Sequence, residues 1–289
     1  MPYIPNTDDD RRAMLEAIGA ESIDELFEMV PREFRLDRLL DLPAALGELE
    51  LQDHIRELAD RSTAASAATC FLGGGSYDHF IPSIVDFVAA RSEFYTSYTP
   101  YQAEASQGTL TALFEYQTMI TRLTGMDVSN ASLYDGAGAA AEAVLMAIGA
   151  TGRSKRVVTA ASVHPEYRQV LATYLANLDT QMHIVGTPGG ALAPEELDAA
   201  VDEQTACVLV QHPNFFGCLE EVEALAAAAH AKGALLIVAF DPLSLGVLKR
   251  PGDYGADIAV AEGQALGCPL SYGGPYLGIL ACREKFVRR

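Results

Sequence analysis

Residues 98–108 read Tyr98-Thr99-Pro100-Tyr101-Gln102-Ala103-Glu104-Ala105-Ser106-Gln107-Gly108. Phenols, amides, a carboxyl and hydroxyls crowded into one short run do not suit a packing segment, because every buried polar group must find a partner. They suit the wall of a site, or equally a polar loop entering a helix capped near Ser106. A second run, Asp135-Gly136-Ala137-Gly138-Ala139-Ala140-Ala141-Glu142, stands where a short strand turns into a helix. Small residues there expose backbone N–H groups at a positive helix end and form a phosphate cradle, or they simply let the helix pack tightly. Gly136, Gly138 and Ala141 match the loose dinucleotide pattern G-x-G-x-x-A. Residues 157–161, where the ribose-binding acid of that pattern belongs, carry no acid.

Asp241 follows an apolar strand and precedes Pro242. A carboxylate at the C-terminal end of a central strand lies where α/β sheets bind ligands, and in pyridoxal-phosphate enzymes such an acid holds the pyridinium nitrogen. It equally serves as a turn or cap residue. The loop Glu262-Gly263-Gln264-Ala265-Leu266-Gly267-Cys268-Pro269 is where such an enzyme needs a lysine, since an amine must form the resting Schiff base. None is there: the lysines are Lys155, Lys232, Lys249 and Lys285. His164 and His212 each precede a proline just past an expected strand, and a ring there can stack on a planar cofactor or stand in a solvated loop. Gly73-Gly74-Gly75 allows a sharp turn or a close backbone approach to a ligand. No G-x-S-x-G elbow marks a serine triad.

The elements that must hold these residues are legible from periodicity. Thr7 ahead of three acids predicts a first helix to Ile18, and Ser22 with Glu25 has capping-box spacing before Pro31. Helices are expected over 49–61, from Pro82 to 90, and over 110–123 with Gly125 as the stop. Beyond it, strands at 132–134, 157–160, 183–185, 207–210, 235–240 and 258–260 alternate with helices at 139–148, 165–178, 194–201 and 219–232. That alternation predicts a doubly wound, mostly parallel α/β sheet over 91–289, preceded by a helical arm and connector over 1–90.

At 49% hydrophobic over 289 residues the chain has enough apolar content for a large α/β domain with an appendage. A net charge of −19 argues against nucleic acid and against anionic membrane surfaces. Five scattered cysteines without a C-x-x-C pair fit a reducing cytoplasm and offer no metal-ligand spacing. No opening signal segment and no membrane-length apolar run are read in the sequence.

Several motifs together resemble a known family. These are Tyr98-Thr99-Pro100-Tyr101-Gln102, Glu104-Ala105-Ser106-Gln107-Gly108, Glu115-Tyr116-Gln117-Thr118-Met119, Asn130 to Gly136, Asp241 to Gly246 and Ser271 to Gly278. With the opening Tyr3-Ile4-Pro5 and the segment from Ser22 to Phe27, they resemble the N-terminal subunit of the glycine decarboxylase P-protein along essentially the whole chain. The resemblance implies a fold-type-I pyridoxal-phosphate domain of the glycine cleavage system. There glycine is decarboxylated on the cofactor, and its aminomethyl group passes to the lipoyl arm of the H-protein. In two-subunit versions the Schiff-base lysine belongs to the other subunit, so pyridoxal phosphate is expected on that partner and not covalently bound here. Ala265 or a close neighbour then takes the lysine's place.

On the same footing, Tyr98, Tyr101, Gln102, Glu104, Gln107 and Tyr116 are expected to line the partner's active site. Asp135, Gly136, Gly138, His164, Asp241 and Ala265 would be the relic of a duplicated cofactor pocket. The family also continues past a segment like Phe286-Val287-Arg288-Arg289 into a C-terminal small domain, which this sequence is expected to lack. Two further readings stay open: a non-catalytic scaffold that stabilises the cofactor-bearing subunit and docks the H-protein, and a self-sufficient nicotinamide enzyme.

Overall fold

The computed structural model describes residues 6–95 and 98–288; Tyr3-Ile4-Pro5 and Arg289 lie outside the described residues. The chain divides into two compact units, Met1–Thr63 and Ala64–Arg289.

In the first unit, α1 (Asp8–Ile18) begins as its sequence predicts. Thr7 accepts the Asp10 N–H, the Asp10 carboxylate accepts the Thr7 N–H, and Gly19 ends the helix in the left-handed conformation. Ser22 accepts the Glu25 N–H at 3.3 Å, but the Glu25 carboxylate turns to the Glu21 N–H, so the box closes only on one side. A short 3-10 turn, Asp24–Phe27, forms there. A second turn, Arg32–Phe34, and α2 (Glu48–Asp60) follow. No described side chain of 6–63 is buried.

The second unit carries α3 (Ser83–Ala89), the single turn α4 (Ser92–Tyr95) and α5 (Gln107–Thr124), which stops at the left-handed Gly125. Ser106 holds the N-cap position of α5 but makes no side-chain capping bond. The sheet is built from β1 (Val128–Ser129), β2 (Arg156–Ala160), β3 (Gln181–Val185), β4 (Thr205–His212), β5 (Leu235–Phe240), β6 (Ile258–Glu262) and β7 (Gly278–Cys282), in the order β1-β7-β6-β5-β4-β2-β3. Strands β2 to β6 run parallel, with Ile237 beside Leu209 and Ile258, and β7 is antiparallel to both β6 and β1. Between strands lie α6 (Gly136–Thr151), α7 (Pro165–Leu175), α8 (Pro194–Ala200) and α9 (Val222–Ala231).

Two strand expectations need correction. Residues 132–134 do not form a strand: Ser132 sits at φ 96°, its N–H held by the Asn130 side chain, and only Leu133 makes a single bridge to Gly278. The paired segment is β1, and the fully buried β7 was not foreseen because its short apolar run follows a glycine-proline stretch.

The core is the parallel sheet with α6 on it. Leu209, Leu236, Ile237 and Ile258 are essentially solvent-free, and alanines 139, 140, 141, 143 and 147 bring the helix backbone close to the strands. Truncating Leu236 to alanine is expected to cost about 2–5 kcal/mol. Among the described residues no helix is long and apolar enough to cross a membrane, and no group of three ligating side chains could hold a metal.

Candidate functional site

Crossover handedness fixes where a ligand site belongs. The chain leaves β2 for the edge strand β3 through α7, then reverses and crosses to β4 through α8. Right-handed crossovers put these helices on opposite faces, and the carboxyl ends of β2 and β4 part at the reversal. A cavity of 410 Å³ lies at this point, walled by His164 and Tyr167 after β2, Asn214, Phe215 and Phe216 after β4, and Asp241 after β5. The end of β6 adds Glu262, Gln264 and Ala265, and the glycine-rich segment adds Gly75 and Tyr77. A larger hollow of 1090 Å³ between Asp24 and Leu39 is walled by the arm, none of whose described side chains is buried, and offers no enclosed site.

The first turn of α6 has its own anions. Asp135 is the N-cap and accepts the Gly138 N–H at 2.6 Å. Glu262 reaches in from β6 and accepts the Gly136 N–H at 3.0 Å, while its other oxygen takes the N–H groups of Gln264 and Leu277 at 3.0 and 3.1 Å. These donors favour the carboxylate, yet burial outweighs them and, with the Asp135 charge, lifts Glu262 above the usual carboxylate range. Packing here is tight as well as polar. A Cβ on Gly136 would stand 2.0 Å from the Tyr167 hydroxyl and 2.8 Å from the Glu262 nitrogen. Burial, followed by the charges of Glu262 and Asp135, pushes the Tyr167 phenol far up, so it stays protonated.

His164 caps α7: its Nδ1 accepts the Glu166 N–H at 3.1 Å, so the ring proton sits on Nε2 and is donated to the Gly74 carbonyl at 2.6 Å. The ring stacks on Tyr167 at 5.1 Å and meets Phe215 edge-on at 4.9 Å. Behind it the loop after β4 is fixed by Asn214, whose amide oxygen accepts the N–H groups of Phe216 and Cys218 and whose NH₂ donates to Gly190 and Glu220. Glu220, 4% exposed, also accepts from Ser162 and the Leu192 N–H, and its own N–H donates to His212 Nδ1. Phe215 and Phe216 are therefore carried on a rigid support.

Gln264, 2% exposed, fills the place beside Ala265 at the end of β6. Its oxygen accepts the Tyr77 N–H at 3.0 Å, and its NH₂ donates to the carbonyls of Tyr77 and Cys268 at 3.0 and 2.8 Å. Through these bonds and the His164 contact with Gly74, the glycine-rich segment becomes one wall of the cavity.

Of the residues singled out from sequence, His164, Asp241 and Ala265 line the cavity and Asp135, Gly136 and Gly138 form the helix start behind it. Asp241 acts as an N-cap, accepting the Leu243 N–H at 3.0 Å. Tyr98, Tyr101, Gln102, Glu104 and Gln107 do not line it; they lie on the surface ahead of and at the start of α5, with Tyr98 and Tyr101 83% and 82% exposed. Tyr116, further along α5, packs against the core with a buried hydroxyl that finds no hydrogen-bond partner among the described residues. Sequence reading gave no role to Glu262, Gln264, Tyr167 or Asn214. The available signal for Glu262 was the one used for Asp241, an acid at the end of a parallel strand.

Pyridoxal phosphate does not fit this cavity. No lysine lines it: Lys155, Lys249 and Lys285 pair with Asp179, Glu223 and Asp257, and Lys232 closes the end of α9. The helix end that would cradle a phosphate already holds the Glu262 and Asp135 carboxylates.

Comparison with known proteins agrees along the full length. The family model described as glycine cleavage system P-protein matches residues 1–289. Proteins named probable glycine dehydrogenase (decarboxylating) subunit 1 from Desulforamulus reducens and Carboxydothermus hydrogenoformans are 53% and 52% identical over 289 residues, covering all of this chain and 65% of each relative. The chain thus spans about two thirds of the length of these curated relatives. A crystal structure of glycine decarboxylase (P-protein) of the glycine cleavage system, in inhibitor-bound form, superposes with a TM-score of 0.86 at 48% identity, covering 100% of this chain and 64% of that one. A sphingosine-1-phosphate lyase of Burkholderia pseudomallei shares the fold at a TM-score of 0.64 and 16% identity, over 90% of this chain and 64% of the lyase.

Proposed function

Because the chain belongs to the glycine cleavage system P-protein family, we propose that it is the cofactor-free subunit of a glycine dehydrogenase (decarboxylating). In this reading it completes a glycine site whose pyridoxal phosphate is held by a second, lysine-bearing subunit, and the aminomethyl product leaves on the lipoylated H-protein. The setting is the cytoplasm. The observation that carries the reading is the Glu262 carboxylate on the Gly136 N–H, in a cavity with no lysine. A chain built this way has no anchor for a carbonyl cofactor, so the decarboxylation chemistry belongs to its partner.

This chain's contribution is then shape and polarity. Tyr98, Tyr101, Gln102, Glu104 and Gln107, exposed ahead of and at the start of α5, present phenols, amides and a carboxylate to the partner's pocket, with Tyr116 further along the helix. They frame glycine, exclude water and leave a passage for the lipoyl arm.

Reconstitution tests the reading. The chain is combined with a lysine-bearing second subunit and lipoylated H-protein, and glycine–bicarbonate exchange is measured. Glu104→Gln and Tyr98→Phe should lower exchange about tenfold or more while assembly stays intact. Loss of assembly ahead of turnover favours the scaffold reading, and wild-type exchange with intact assembly removes the lining role.

A further inference from the structure

The cavity between β2 and β4 keeps the position of a cofactor site but has the opposite charge preference. Its rings form a corner: His164 lies on Tyr167 and against Phe215, and Phe215 meets Phe216 edge-on at 5.9 Å. Two carboxylates face the same space, Asp241 and Glu262, and among the described residues no lysine or arginine lines it. Glu262 cannot swing aside, since three backbone N–H groups hold it. Asp241 is engaged on one oxygen by the Leu243 N–H, and no other described residue hydrogen-bonds its carboxylate. The 410 Å³ volume suits one ring with a short tail.

A cation over aromatic faces is attracted by the ring quadrupole and again by the nearby carboxylates, whereas a phosphate there meets two negative charges and no counter-charge. We propose that this cavity is a binding site for a flat ring bearing an ammonium group, an arylalkylamine, and that it rejects phosphorylated ligands. The site rests on the cavity alone, so its loss would leave the decarboxylase reading untouched.

The test titrates the 289-residue chain with benzylamine, benzyl alcohol and benzyl phosphate, followed by ligand-observed NMR and calorimetry. Benzylamine should bind about tenfold more tightly than benzyl alcohol, and benzyl phosphate should not saturate. Asp241→Asn keeps an amide oxygen for the Leu243 N–H and should bring benzylamine to within about twofold of the alcohol. Phe216→Ala, at an exposed ring, should weaken amine and alcohol alike. Should Asp241→Asn fail to fold, the wild-type order of the three ligands together with Phe216→Ala decides. Benzyl phosphate binding as well as benzylamine would overturn the assignment, as would equal binding of amine and alcohol, no saturation by any of the three, or unchanged amine binding in Phe216→Ala.

Discussion

The Glu262 carboxylate accepts the Gly136 N–H at 3.0 Å, so a side chain at the end of β6 closes the first turn of α6 from 126 residues away. Removing it in Glu262→Ala strands three N–H groups and should cost about 2–4 kcal/mol. It also vacates an anion site at a helix N-terminus. Inorganic phosphate should therefore raise the melting temperature of the variant while leaving the wild type unmoved. Equal responses of the two proteins in a thermal melt series would show that the cradle is not Glu262's to close.

The absent side chain at position 136 is required by its neighbours. Gly136→Ala drives a methyl into the Tyr167 hydroxyl and the Glu262 backbone, and about 2 kcal/mol of stability should be lost. Tyr167→Phe removes only the first of these clashes. The double variant should recover part of the loss in chemical denaturation, but not all of it.

Acid should weaken the fold through His212. Burial holds this imidazole below its usual value of 6.5, outweighing the opposite pull of the Glu220 and Glu223 charges. Between 6.5 and the lower folded value the unfolded chain takes up a proton that the folded chain refuses. Stability is thus complete above that window and falls as the pH drops through it. His212→Asn keeps an acceptor for the Glu220 N–H, and melts from about pH 7.5 to about pH 5 should show a flatter decline in the variant.

Glu220 is the knot of the loop that carries Phe215 and Phe216. Glu220→Ala unpairs Ser162, Asn214 and the Leu192 N–H and should cost about 3 kcal/mol or more, with Glu220→Gln costing less. Urea unfolding measures both, and an Ala variant as stable as the wild type would remove this support from the loop.

Tyr116 gives the opposite expectation. Its buried hydroxyl has no partner among the described residues, and burial pushes its phenol up to about 12, so the proton is never released near neutrality. Tyr116→Phe should leave stability unchanged or raise it by about 0.5–1 kcal/mol in a melt, the desolvation penalty being relieved.

Much of the frame could be read in advance because its signals are local. Thr7 with Asp10, Gly125 after α5 and Pro165 at the start of α7 mark helix ends by mechanisms that act within one turn. Parallel strands β2 to β6 announced themselves as short β-rich runs between helices. By contrast, the true site of β1 depends on pairing with β7 across more than 150 residues, which no local pattern encodes, and β7 itself sits behind a glycine-proline stretch. The same holds inside the cavity. Asp135 was visible at the head of a small-residue helix start and Asp241 as a strand-end acid, but Glu262 gains its meaning from Gly136, and Gln264 from Tyr77, 187 residues earlier. Residues 98–107 drew attention by composition, and the fold leaves them facing outward.

Within 6–63, α1, α2 and the turns between them bury no described side chain, and Leu39, Leu42 and Phe34 are wide open. A segment without an interior adds little heat of its own when the protein melts. Calorimetry of the free chain should then report 64–289 almost alone, and any enthalpy gained on adding a binding protein would gauge how much apolar surface of 6–63 that protein covers.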